Sequence, residues 1–563
     1  MALQPDVCII GMGAAGSAAA FALAQAGMRV LVIEAGAPID NRDVRLDELY
    51  AVYGRGGFSQ KFDQERQTWR PTPHDQATPA QYSLGRMANG VGGATQIYGC
   101  WLRRFQHHDF AIRSSTIERY GEAALPEGSA VVDWPITYDD LEPYYSRAEH
   151  MMGVAGIPGN IRGEAVPDGN PFEPYRSVPL PLPPVIQPQT SKLFTEAGRR
   201  LGYHPYPVPV SVNSVSYDGR PACTYCSWCT FYVCHNGSKT TAGNSFAAKA
   251  MTTERVQLLS RCRVIRLNAT GSGRVTSVDY LDPDGLVVRQ EAPRFILSTY
   301  TFENVRLLLT STSDAYPDGL GNSHGQVGKY FMSKQYYTVA GLFEEQRLNR
   351  FAGAGHQGTI MDDFVGDNFD HTGLGFIRGA TISCEEQVQP IGASRMALPP
   401  GVPRWGAAYK KHLLTNWNSM ADLRIQPEAL PYEDTFLDLD PEVRDRSGLG
   451  MPVVRITWRL HPNEHRMMDY LEGRTLDILR EMGATGAWTG NRFTGAGSAH
   501  DVGGCRMGAD PASSVVDPAL RLHDAPNLYV MSGAVFPSGP GINPTLTIQA
   551  MTLRACDELV ATS

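Results

Sequence analysis

The first forty residues alternate short apolar runs with small or polar punctuation. VCII is followed by the turn GMGAAGS, the alanine-rich stretch AAAFALAQAG that Gly27 ends, and the apolar run RVLVIE. Short apolar runs bounded by turn residues read as buried strands, so residues 6–34 predict strand, glycine-rich turn, helix, strand. TYDDLEPYYSRAEHMMG places acidic residues where a helix begins and predicts a helix stabilised by its own dipole. RVIRLNATGSGRVTSVDYLDPDGLVVRQEAPRFILS predicts alternating strands around a DPDG turn. From about Arg45 to Gln81 the pattern is polar and irregular, and WRPTPHDQATPA predicts a surface loop. PGNIRGEAVPDGNPFEPYRSVPLPLPPV is proline-rich and predicts an extended loop. Residues 330–457 mix strand and loop patterns without a chemical motif. The stretch from Ala499 is dense in Gly, Pro and His and closes on an apolar helix.

Composition narrows the class. With 563 residues, 42% apolar and 19% charged, the chain can bury a large core across two or three domains, or one large α/β unit with insertions. Lys plus Arg number 50 against 58 Asp plus Glu, a net charge of −8 with no basic block, which argues against a nucleic-acid binder. No apolar run reaches the roughly 18 residues that span a bilayer. No charged and apolar leader precedes Val7, so a cytoplasmic location is expected, with export beside a signal-bearing partner as the alternative.

Gly11, Gly13 and Gly16 form G-x-G-x-x-G between the first strand and helix. The first glycine permits a tight turn, the second lets a pyrophosphate approach the backbone, and the third lets helix and strand pack closely. The helix N-terminus then faces the phosphates, beside Ala14 and Ala15. Glu34, followed by Ala35, closes the second strand where an acid accepts from ribose hydroxyls. A bound dinucleotide is expected, FAD and NAD being equally compatible with this unit alone.

Three further segments favour one of the two: GVGGATQIYGCWLRRF, DWPITYDDLEPYYSRAE, and HDVGGCRMG followed by LYVMSGAVFPSGPGINPTLTIQAM. With the N-terminal unit, they resemble the glucose–methanol–choline (GMC) oxidoreductases, in the family's order and over nearly the whole chain. The resemblance implies FAD and an α/β architecture: a Rossmann-type FAD-binding domain with an antiparallel-sheet substrate-binding domain. The expected boundaries are 1–130, 215–325 and 495–563 for the FAD domain, and 131–214 and 326–494 for the substrate domain. It also implies that Gly92, Gly93 and Ala94 lie along the flavin and pyrophosphate. Val264 is expected near the adenine, Gly533 and Ala534 near the ribityl chain, and Asn543, Pro544 and Thr545 at the pyrimidine edge.

Oxidising an alcohol on a flavin needs a base for the hydroxyl proton and hydride transfer from carbon to flavin N5. Neutral His, with an unperturbed pKa of about 6.5, suits the first task. A second polar group must hold the substrate oxygen. By the resemblance, His500 is the base and Asn543 its partner. Relatives that attach FAD covalently do so through a His in the Gly-Gly segment. Ile97 takes that place here, so FAD is expected to be non-covalent, with Cys100 leaving a thiol linkage narrowly open. Tyr300 and Val305 stand where many relatives carry Gly and Pro, a departure expected to shape the adenosine end.

Six of the ten cysteines are scattered. Cys223, Cys226, Cys229 and Cys234 cluster as C-x2-C-x2-C-x4-C. Three readings stay open for the cluster: structural thiols or a disulfide, an iron–sulfur cluster, or zinc. In some multi-subunit relatives a cluster here exports electrons to a cytochrome. The leading expectation is therefore a FAD-dependent dehydrogenase acting on the CH–OH group of a small alcohol or carbohydrate, a sugar, glycoside or polyol. It is expected to pass electrons to an acceptor protein or to work with a small subunit. An oxidase using O2 on a non-sugar alcohol, or a non-redox lyase or isomerase that keeps FAD, is the alternative. Trp101, Trp134, Trp228, Tyr82 and Tyr98 are candidate stacking surfaces for a sugar ring.

Overall fold

The computed structural model describes residues 4–39, 44–52, 65–80, 88–354, 358–385, 389–394, 396–446, 448–492, 495–496 and 498–562. The apolar runs of the N-terminal unit become the strands Val7–Ile10 and Val30–Glu34, every residue of both buried, flanking the helix Ala14–Gln25. They lie inside a five-stranded parallel sheet ordered Leu528–Val530, Phe295–Leu297, Val7–Ile10, Val30–Glu34, Val256–Ser260. Strands covered on both faces read as continuous apolar runs, which is why this unit was legible. The chain's tail thus supplies an edge strand of the sheet its head begins. The closing helix Thr545–Ala561 packs on Ala14–Gln25.

Residues 263–291 form the expected antiparallel trio, Arg263–Ala269, Val275–Leu281 and Val287–Glu291. The mixed middle of the sequence resolves into a six-stranded antiparallel sheet: Gly486–Arg492, Tyr337–Leu342, Met420–Pro427, Ala380–Glu385, Gly358–Met361, Tyr206–Pro207. The helices Gln189–Arg200 and Pro462–Glu481 cover it and share its core. No helix among the described residues is long and apolar enough to cross a membrane.

One expectation changes. WRPTPHDQATPA is not wholly a surface loop, because Thr68–Arg70 joins the Phe436–Arg444 and Pro452–Thr457 strands in a second sheet. Its polar residues are buried with partners: Thr68 donates to Asp440 at 2.6 Å and Arg70 Nε to the Thr457 hydroxyl at 2.9 Å. A polar pattern satisfied indoors looks like a loop to any reading of periodicity. The helix Tyr138–Met152 buries Tyr138, Leu141, Tyr145 and Met152 in a core it shares with the parallel sheet.

Buried charge ties that helix to the glycine-rich segment. Arg104, fully buried, donates from Nε and Nη2 to Glu149 at 3.0 and 2.7 Å and from Nη1 to Glu142 at 3.0 Å. Arg176 Nη1 reaches both Glu149 oxygens at 2.6 and 2.7 Å. Burial pushes the Glu149 carboxyl up, but the two guanidinium groups outweigh it and hold it down to about 2. Stability from this carboxylate is therefore present above the ordinary Glu value of about 4.3 and is lost as pH falls towards 2. Glu149→Gln leaves two buried cations short of a counter-charge and is expected to cost about 3–5 kcal/mol in denaturant unfolding. The variant should also lose less stability than the parent between pH 5 and 3 (the range of roughly the carboxylate titration).

Candidate active site

The glycine turn faces one large cavity of about 580 Å3, lined continuously from Glu34, Ala35 and Val264 to His500 and Asn543. The glycines divide by what a Cβ would meet. At Gly16 it would fall 2.0 Å from the Gly11 carbonyl oxygen, so this position packs helix on strand. At Gly11, with φ +92°, it would press on the Ser298 carbonyl at 2.9 Å. At Gly13 it would meet nothing within 4 Å, because this residue opens onto the cavity. Gly13 is also the helix N-cap and has no side chain with which to cap it. The first-turn N–H groups are therefore left to the cavity that Gly13, Ala14 and Ala15 line, a cradle for an anion. Glu34 braces the turn, accepting from Met12 N at 2.7 Å and Gly36 N at 2.8 Å. A carboxylate keeps further lone pairs after these two bonds.

Gly93, Ala94, Gly533, Pro544 and Thr545 also line the cavity. Gly92 and Ala534 lie behind the wall. Gly92, with φ +90°, is closed in by Gln96 and Gly243, and Ala534 is fully buried with its N–H on the Ser532 hydroxyl at 3.1 Å. Ile97 and Cys100 are buried on the wall. Trp101 and Tyr98 line the cavity too. Trp134 instead donates to Ser538 at 2.7 Å among phenylalanines, Trp228 packs edge-on against Tyr232, and Tyr82 lies outside the described residues.

At the far end Asn543 Nδ2 donates to His500 Nε2 at 3.2 Å. Tyr336 Oη stands beside the His500 ring, 2.8 Å from Nδ1 and 3.4 Å from Nε2. The backbone N–H of His500 donates to Ser498 Oγ at 2.8 Å. The neighbouring Asp501 carboxylate accepts from Ser333 at 2.6 Å and from Tyr300 at 2.9 Å, anchoring the loop. Tyr300 thus braces the His500 loop, although it was expected to shape the adenosine end. Lys334 is buried beneath the segment leading to Asn543 and donates to the carbonyls of Pro540 and of Ile542, the latter at 2.7 Å. Burial pushes its ammonium down to about 7 against the pull of Glu428 and Asp109.

The cavity roof is the Met420–Pro427 strand, which presents Asp422, Arg424 and Gln426 to the cavity while Ala421, Leu423 and Ile425 are buried on the other side. Sequence reasoning missed Tyr336 and this stripe. The signal was present in MADLRIQP, a period-2 alternation of apolar and polar residues. Tyr336 had none, because its meaning comes from a contact 164 residues away.

The four clustered cysteines are free thiols. Lys239 is buried among them and donates to the Cys229 and Tyr232 carbonyls at 2.8 Å each. Burial pushes the Cys229 thiol well up. At Cys234 burial acts upward as well, but the Lys239 N–H, Ser238 and the Lys239 charge outweigh it and lower that thiol. No three of these sulfurs lie within 4.8 Å of one another. Among the described residues only His108, Asp109 and Glu428 gather so closely, with Arg378 paired to both carboxylates.

Comparison with known proteins agrees with the geometry. Family models described as GMC oxidoreductase match residues 134–334 and 431–552, and one described as FAD binding domain matches 6–42. The chain is 31% identical to the gluconate 2-dehydrogenase flavoprotein of Pantoea cypripedii, over 97% of this chain and 92% of that one. It is 30% identical to paromamine 6'-oxidase of Streptomyces fradiae (98% and 90%) and 28% identical to the fructose dehydrogenase large subunit of Gluconobacter japonicus (99% and 98%). The fold matches the crystal structure of pyridoxine 4-oxidase from Mesorbium loti with a TM-score of 0.61 at 16% identity, covering 99% of each chain.

The contrast between Gly13 and Gly16 is testable. Gly13→Val adds a side chain that meets open space, so the protein should fold with the melting temperature of the parent stripped of FAD but purify without flavin absorbance. Gly16→Val collides with backbone and should lower the yield of folded protein as well. Full flavin content in Gly13→Val would contradict the placement of the cradle.

Proposed function

The chain belongs to the GMC oxidoreductase family, FAD-dependent oxidoreductases acting on CH–OH donors, and we propose that it oxidises a sugar, glycoside or polyol with His500 as general base. The observation that carries the proposal is the 3.2 Å contact of His500 with Asn543 on the wall of the cavity that Gly13 opens onto. The turn at Gly11 and Gly13 with the helix N-terminus would hold the pyrophosphate, and Glu34 a ribose hydroxyl. Bound FAD supplies the two-electron acceptor. His500 receives the substrate's hydroxyl proton, and Asn543 donates to the oxygen left behind. Asp422, Arg424 and Gln426 suit a substrate with several hydroxyl groups, since a carboxylate, a guanidinium and a carboxamide offer both donors and acceptors.

The cofactor is held without a covalent bond in this reading. Ile97 has no nucleophile, and burial pushes the Cys100 thiol up to about 12, so it carries no thiolate at neutral pH. The dehydrogenase reading, with electrons leaving to an acceptor protein or small subunit, draws support from relatives named gluconate 2-dehydrogenase flavoprotein and fructose dehydrogenase large subunit. Paromamine 6'-oxidase supports the oxidase alternative, and peroxide release in air would establish it.

An anaerobic panel of sugars, glycosides, polyols and aromatic alcohols should contain a donor that bleaches the flavin. His500→Ala should retain FAD and slow that bleaching by about 10²–10⁴-fold; a near-parental rate would refute the assignment. Acid precipitation should leave the yellow colour in the supernatant, whereas a yellow pellet would show a covalent bond.

A further inference from the structure

The hydrogen bonds behind His500 determine which of its nitrogens carries the proton, starting from an atom that can only accept. The Gly541 carbonyl lies 2.9 Å from Gln426 Nε2, so the amide of Gln426 must present its NH2 there. Arg103 Nη2 and the Thr381 hydroxyl also donate to this carbonyl, at 3.2 and 3.1 Å, and Arg103 is itself held by Asp362 at 2.8 Å. The second N–H of Gln426 reaches Asn543 Oδ1 at 3.4 Å. Asn543 therefore turns its oxygen to Gln426 and its NH2 to His500. A carboxamide nitrogen only donates, so the Nε2 it meets must be the unprotonated nitrogen. A neutral imidazole then has its proton on Nδ1, and Tyr336 Oη lies beside the ring, 2.8 Å from Nδ1 and 3.4 Å from Nε2.

We propose that Gln426 is a positioning residue that, through Asn543, fixes His500 in the tautomer whose unprotonated Nε2 takes the substrate proton. The proposal rests on the reading of His500 as the base. It adds that the base is set from outside its own segment. Gln426 comes from the roof strand of the antiparallel sheet. The opposite tautomer would place an N–H against an NH2, donor facing donor. Gln426 is 1% exposed, so water cannot easily replace its bonds.

The direct test is 15N NMR of histidine-labelled, FAD-loaded protein at mildly alkaline pH, with the His500 pair identified as the one missing from His500→Gln. A protonated Nδ1 and an unprotonated Nε2 are expected in the parent, and a protonated Nε2 would overturn the proposal. Gln426→Glu keeps the shape but cannot donate when ionised. It should move His500 towards the Nε2–H form and slow flavin reduction more than Gln426→Leu does. An unmoved tautomer, or a Glu variant no slower than the Leu variant, would also overturn the proposal. If the NMR is as expected but no CH–OH donor reduces the parent enzyme, the activity fails and the tautomer assignment stands.

Discussion

An amide nitrogen donating to an imidazole nitrogen is the contact on which the rest of this molecule depends. Asn543 and His500 lie on separate segments of the chain's tail, and their meeting at 3.2 Å requires both to be held from several sides. His500 is fixed through its neighbour Asp501, whose carboxylate collects hydroxyls from Ser333 and Tyr300. Asn543 is fixed through the carbonyls just before it, which Lys334, Arg103, Thr381 and Gln426 hold in turn. A base needs this surrounding order, because a small misplacement of a reacting group costs a large factor in rate.

The order is built from buried polar groups, which are tolerable only when paired. Arg104 between Glu142 and Glu149, Arg103 on Asp362, and Arg378 between Asp109 and Glu428 each place a buried guanidinium fork against carboxylates inside the protein. Such pairs contribute little net stability relative to apolar packing but are costly to break. Here they join segments far apart in sequence: the glycine-rich stretch to the Tyr138–Met152 helix, and the same stretch to the roof sheet and the loop before Asn543. The parallel sheet completes the arrangement by taking an edge strand from the tail, so the segment carrying His500 and Asn543 is tied to the glycine turn.

Legibility followed the range of the interactions. The first strand, turn, helix and strand were readable because each depends on neighbours within a few residues. The Tyr138–Met152 helix was readable for the same reason, through its capping Thr137 and first-turn acids. Its packing partner was not readable, because that depends on Arg104 and on the closing helix. The second sheet hid behind Thr68 and Arg70, whose polar side chains are satisfied indoors. His500 and Asn543 could be named only through a resemblance, since nothing in either residue's local pattern marks it. Tyr336 and Gln426 escaped altogether: their roles exist only where the roof sheet meets the tail. Tyr300 was noticed as a departure, but its brace on the His500 loop was not, because its hydroxyl reaches a partner 201 residues away.

The central claim is geometric, and a crystal structure of the FAD-loaded protein with an unreactive donor analogue tests it most directly. The account predicts the isoalloxazine in the cavity between the Gly13 turn and the His500 loop. It also predicts the analogue's hydroxyl within hydrogen-bond distance of both His500 Nε2 and Asn543 Nδ2, with its carbon towards flavin N5. A flavin bound with those two side chains turned away from its reactive face would contradict it.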